Sequence, residues 1–156
     1  HACGKFISMK NSNECGYTLI MSTEIIGLSH LEREIIANVV RYNIRDFDYD
    51  MMQLETEAGQ DLAGVSDRTA ITILIAKLTA ILRLANSMDK THKSKLIDCR
   101  MAVREGQLVI TTGYKGDLAL ESASFEQKAA FFEEIFGIRP VLKQKSLRRG
   151  RARSGH

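Results

Sequence analysis

Residues 67–90 read DRTAITILIAKLTAILRLANSMDK, and the reading of this segment decides the fold. Ile71, Leu74, Leu78, Ile81, Ala85 and Met88 recur at helical spacing, and Ile73, Ile75 and Leu82 widen the apolar row around the cylinder. A helix apolar on most sides is expected at the centre of a core. Its polar residues Thr72, Thr79, Arg83, Asn86 and Lys90 fall on one stripe. A polar stripe on a buried helix has to be met by partners, water or a ligand. Lys77 and Arg83 interrupt the apolar run, which makes it a poor membrane span.

Working upstream, residues 28–43 (LSHLEREIIANVVRYN) carry a capping box, Ser29 with Glu32, ahead of Leu31, Ile35, Val39 and Tyr42. A shorter helix is expected from Asn11 or Ser12 to Met21, weakened by Gly16. Residues 44–67 hold seven acidic residues against one basic and lack periodicity. They read as a long loop with one short helix near Met51–Glu57. The segment Asp46–Asp50 lacks the glycine and final glutamate of a calcium loop and reads as solvated.

Downstream of Lys95 the period changes. Residues 96–114 give two strands around Glu105-Gly106, a hairpin signal. Residues 122–137 read as a helix with a second capping box, Ser124 with Gln127, and with Gly137 as its C-terminal stop. Residues 138–144 read as a last strand in which Pro140 suits a sheet edge. The expected fold class is mostly α: a helical domain over residues 1–94, a small ββαβ subdomain over 95–145, and a basic disordered tail over 146–156.

Composition sets the bounds. The 156 residues have one proline and no tryptophan, which favours long helices over a β-sandwich. The net charge of +3 is uneven: residues 139–156 hold seven basic residues and no acidic one, so the rest of the chain is mildly acidic. Cys3, Cys15 and Cys99 are odd in number and widely spaced. That excludes a zinc ribbon and fits a reducing, cytoplasmic location. Nucleophile elbows, phosphate loops and H-E-x-x-H motifs are absent from the sequence.

Four stretches in register carry a resemblance: HACGKFISM (1–9), IIGLSHLEREIIANVVRY (25–42), KLTAILRLANSMDKTHK (77–93) and LALESASFEQKAAFFEEIFG (118–137). Together they resemble the C-terminal region of the exopolyphosphatase / guanosine pentaphosphate phosphohydrolase (Ppx/GppA) family. The resemblance implies an HD-like helical domain followed by a small α+β piece, from a longer bacterial protein. In such a protein, N-terminal actin-like domains hold the phosphohydrolase site and its Mg²⁺. It implies a chain that starts inside the HD-like domain, has no cofactor or metal of its own, helps hold polyphosphate or another polyanion, and forms a homodimer.

The resemblance also marks a degenerate metal motif. HD phosphohydrolases pair an adjacent His and Asp; here His1 is followed by Ala2. Glu14 and Asn43 fall where many relatives read His, and Asn86 where they read Asp. His1, His30, Asn86 and Asp89 are therefore expected to line a vestigial pocket without catalysis. The expected polyphosphate contacts are Arg83, Lys90, His92 and Lys93, with Arg148, Arg149, Arg151 and Arg153 of the tail. Two alternatives stand beside this reading. One is a residual metal-dependent HD phosphohydrolase using His1, His30 and Asp89. The other is a pure interaction module docking through Phe125, Phe132, Ile135 and Phe136.

Overall fold

The computed structural model describes residues 12–49 and 65–145. In chain order these form α1 (Ser12–Ser22), α2 (His30–Tyr42), α3 (Val65–Met88), β1 (Cys99–Arg104), β2 (Gln107–Thr112), α4 (Ala119–Phe136) and β3 (Arg139–Gln144). The described part is thus mostly helical with a three-stranded sheet. His1, the tail arginines and the short helix expected near Met51–Glu57 lie outside the described residues.

Local chemistry explains where the elements begin and end. Ser29 Oγ accepts from the Glu32 amide at 3.2 Å, and the Glu32 carboxylate accepts from the Ser29 amide at 2.8 Å, so the expected capping box is complete. The Ser29 amide and hydroxyl both donate to the Glu32 carboxylate and hold its carboxyl below the ordinary range. The β1–β2 turn places Glu105 at φ 51° and Gly106 at φ 73°. Both central residues are left-handed, as a two-residue hairpin turn requires. Gly137 ends α4 at φ 68°, where a side chain would be strained.

The second expected capping box does not form. Helix α4 starts at Ala119, and its first amide is met by the Asp117 carboxylate at 2.9 Å. Ser124 therefore sits inside the helix, whose N-cap position is Leu118, buried as the helix enters the core.

The sheet order is β1-β2-β3, with β1 antiparallel and β3 parallel to β2. The parallel pair needs a crossover, and α4 supplies it. Leu108, Ile110, Thr112, Pro140 and Leu142 share the inner face by register. Ala80 and Leu84 of α3 join Ile110, Phe125 and Phe132 in one buried cluster. The helical part and the sheet part thus share a core. Phe125 and Phe132 are spent in it, and Ile135 and Phe136 pack against it. The expected docking face on this helix is therefore an interior face, covered by the sheet.

Helix α3 is also oriented differently from its apolar row. It buries Ile75, Ala76, Thr79, Ala80, Arg83, Leu84 and Ser87, while Leu74, Leu78 and Ile81 remain 44%, 38% and 50% exposed. The polar stripe is turned inward because it meets α2 and α4. Half of the apolar row, Leu78, Ile81 and Ala85, opens onto a groove shared with Ile36 and Val39 of α2. Arg68–Met88 is long and apolar enough to cross a membrane by length and composition. Here it packs against α2 and α4.

Gly16 is a point of contact as well as a weak spot in α1. A Cβ there would lie 2.9 Å from Val40 Cγ1, and Val40 is buried and β-branched. The gain in helix propensity, about 1 kcal/mol, opposes an overpacking cost of about 1–3 kcal/mol. Gly16→Ala is expected to lower stability by about 1 kcal/mol in urea unfolding.

Candidate functional site

The polar stripe of α3 leads to a cleft of about 390 Å³ where α3 ends against α4. Asn43, Arg83, Asn86, Asp89, Lys90, His92, Ser124 and Lys128 are among its lining residues. The structure thereby brings together three of the residues expected to hold polyanion (Arg83, Lys90, His92) and two of the vestigial pocket (Asn86, Asp89). Lys93 is exposed and does not line the cleft. His30 sits at the exposed start of α2, where its Nδ1 faces Arg33 at 3.4 Å, and it too is outside the cleft lining.

Arg83 is the buried anchor. Its Nε and Nη2 donate to the Tyr42 carbonyl at 3.0 and 2.6 Å, and Nη2 also donates to the Arg45 carbonyl. Its guanidinium carbon lies 4.6 Å from the Phe131 ring centre. The carbonyls belong to the end of α2 and the turn beyond it, where helical acceptors lack intrahelical donors. Burial lowers the Arg83 pKa from its ordinary value, with Asp46 and Tyr49 opposing, and the group remains cationic.

The Arg83 fork holds the end of α2 where Asn86 Nδ2 donates to Asn43 Oδ1 at 3.0 Å. Two positions expected to match metal ligands in relatives are thus a neutral amide pair. Glu14 accepts from Arg41 at 2.9 Å and pairs with Arg45 at 3.2 Å. Among the described residues no three His, Cys, Asp or Glu side chains gather as a metal site would need. The Asn43–Asn86 pair presents amide groups where a hard cation would take carboxylate or imidazole. The Cys99 thiol is pushed up by burial, which disfavours a thiolate nucleophile.

The turn after α3 is fixed from both sides. Asp89 Oδ1 accepts from the Ser94 amide at 2.9 Å, and the Asp89 carbonyl accepts from the His92 amide at 3.0 Å. His92 and Ser94 both have positive φ, at 52° and 49°. From α4, buried Glu121 accepts from Thr91 Oγ1 at 2.5 Å and from Lys95 Nζ at 3.2 Å. Lys95 also donates to the Asp117 carbonyl at 3.0 Å. Lys95 is therefore neutralised inside the fold. Lys90, Lys93 and Lys128 have no ion pair among the described residues. Asp89 and His92 lie 3.9 Å apart, so one carboxylate tempers the positive cluster.

Ser124 and Lys128 escaped the sequence reading. They are one helical turn apart on α4, so they share a face. Reading Ser124 as a helix cap hid that face, and the correct start at Ala119 reveals it.

The hydrogen bond from Thr91 and the bonds to Lys95 hold the Glu121 carboxyl below its ordinary range. A lowered folded pKa contributes stability above the unfolded value of about 4.3, and that contribution is lost as pH falls through the folded value. Glu121→Gln is expected to lower Tm at pH 7, and the gap from wild type is expected to close below about pH 4. A gap that persists unchanged into acid would show that the carboxylate charge does not stabilise the turn. Arg83→Met leaves buried carbonyls unmet and is expected to cost about 2–3 kcal/mol in urea unfolding. Lysine at the same position, lacking the fork, is expected to restore less than half of that.

Compared with known families, residues 1–129 match the family model described as Ppx/GppA phosphatase, domain III. No curated protein matches the chain.

Proposed function

The chain belongs to the Ppx/GppA phosphatase family, and from that premise we propose that it is a non-catalytic C-terminal domain that holds polyphosphate for catalytic domains elsewhere in its parent protein. The observation that carries this reading is the cleft between α3 and α4. Lys90 and His92 reach it from the turn after α3, Lys128 from α4, and Arg83 from beneath. The one other lysine of that turn that is tied down, Lys95, is occupied by Glu121. A linear polyanion gains most where cations are free and preorganised by a rigid frame.

In this reading the parent's reaction is phosphoryl transfer from a phosphoanhydride to water. Such chemistry rests on positioning and charge neutralisation. Mg²⁺ supplies charge neutralisation when bound in the parent's catalytic domains. The residues of this cleft supply a cradle: Lys90 and Lys128 neutralise phosphates, while His92, Asn86 and Ser124 offer hydrogen bonds. The Asn43–Asn86 pair weighs against a residual HD phosphohydrolase, because two amides replace the anionic oxygen and imidazole that a hard cation needs. Homodimerisation and a cytoplasmic location remain part of the proposal. Its available apolar surface is the groove of Ile36, Val39, Leu78 and Ile81.

The test is a fluorescence anisotropy titration with labelled long-chain polyphosphate in EDTA. Wild type is expected to bind with an affinity that falls steeply between about 50 and 200 mM salt. Lys90→Gln with Lys128→Gln is expected to weaken binding about tenfold and to flatten the salt dependence. Absence of binding at low salt, or full binding by the double variant, would refute the assignment of this cleft.

A further inference from the structure

The sheet has a second face, and the proposed cleft does not use it. By register, Arg100, Thr111 and Lys143 form one row across β1, β2 and β3. Ala102, Val109 and Val141 form the next, and Arg104, Gln107 and Arg139 the third. These residues alternate with the inner-face residues and so lie on the face opposite the Ile110–Phe125 core, Arg139 alone of the nine folding back to α4. Among the described residues the helix in extensive contact with the sheet is α4, which packs on the inner face. The outer face is therefore open among the described residues.

Its charge has one sign. None of the nine outward residues is acidic; Asp98 and Glu105 flank β1 at its two ends. Arg139 is spent on Glu126 and Glu133 of α4, at 3.2 and 3.0 Å. Arg100, Arg104 and Lys143 are exposed and make no ion pair among the described residues. Strand geometry sets Arg100 and Arg104 about 13 Å apart along β1 and Arg100 and Lys143 about 10 Å apart across the sheet. Between the cationic rows runs the apolar strip Ala102–Val109–Val141.

We propose that this outer face binds the sugar–phosphate backbone of a single-stranded nucleic acid without sequence preference. The apolar strip is what separates this partner from polyphosphate. Polyphosphate is anionic at every repeat, so an apolar strip between cations offers it nothing. A nucleic-acid strand alternates anionic phosphates with apolar sugar and base surface, and open sheet faces suit it. The face has no aromatic side chain, so base stacking contributes nothing and binding is weak, sequence-tolerant and carried by charge. The chain leaves the sheet at the Arg100–Lys143 end, where the Lys145 amide donates to the Thr112 carbonyl at 3.0 Å. The residues that follow, SLRRGRARSGH, are rich in Arg, Gly and Ser. Segments of that composition accompany single-strand binding surfaces.

The experiment is an anisotropy titration of the full chain with labelled oligouridine about 20 nucleotides long, at about 50 to 200 mM salt. The triple variant Arg100→Gln, Arg104→Gln, Lys143→Gln is compared with Lys90→Gln, Lys128→Gln. The triple variant is expected to bind oligouridine at least about tenfold more weakly, with the log–log salt slope shallower by about 2. The cleft variant is expected to bind oligouridine as wild type does. All three positions are exposed, so thermal unfolding of the triple variant should match wild type and separate lost binding from lost fold. Absence of oligouridine binding at the lowest salt would overturn the proposal, as would a triple variant that binds normally. So would a triple variant that loses labelled polyphosphate and keeps oligouridine. The cleft assignment stands or falls separately, on the polyphosphate titration of the Lys90/Lys128 variant.

Discussion

One buried guanidinium ties the helical part together. Arg83 donates from α3 to the carbonyls of Tyr42 and Arg45, and its flat face lies on Phe131 of α4. The end of α2 needs donors and carries the negative end of the helix dipole. A cation with several donors in one plane meets both needs, and its stacking adds the third element. The aromatic chain from Tyr42 through Phe47 to Phe131 runs beside it, with ring centres 4.9 and 5.5 Å apart. Three helices from distant parts of the sequence are placed by this one side chain and the rings around it.

The cleft follows from that placement. Holding the end of α2 against α3 brings Asn43 to Asn86, and packing α4 on α3 brings Lys128 and Ser124 to Lys90 and His92. Glu121 then sorts the lysines of the connecting turn. It draws Lys95 inward with Thr91, while Lys90 and Lys93 stay outside. The result is a turn fixed from both sides, with Lys90 and Lys93 outside it and without an ion pair among the described residues. A second group of cations lies on the far face of the sheet, which separates them from α4 and the core.

Much of this was legible in the residues. The Ser29–Glu32 box, the Glu105-Gly106 turn, the Gly137 stop and the ββαβ order each rest on local backbone chemistry, which a sequence states directly. The family too was legible, from four stretches in register, and the match over residues 1–129 agrees. Tertiary facts were not. The apolar row of α3 suggested its buried side, yet the helix buries Thr79, Arg83 and Ser87, because a satisfied polar contact can be interior and an apolar row can face a groove. Periodicity cannot tell these apart. Ser124 followed a correct rule at the wrong place, since the helix already begins at Ala119, whose amide the Asp117 carboxylate meets. That slip turned the Ser124–Lys128 face out of view, and with it half of the cleft wall.

The central claim is that the α3–α4 cleft is where this domain holds a phosphate polymer. Its most direct test is a backbone-amide NMR titration of the isotope-labelled chain with long-chain polyphosphate in EDTA. The account predicts that the largest shift changes fall on residues 86–93 and 124–128, with Asn43 following through its bond to Asn86. Shift changes confined to the outer sheet face or to the tail, with the cleft residues unmoved, would contradict it.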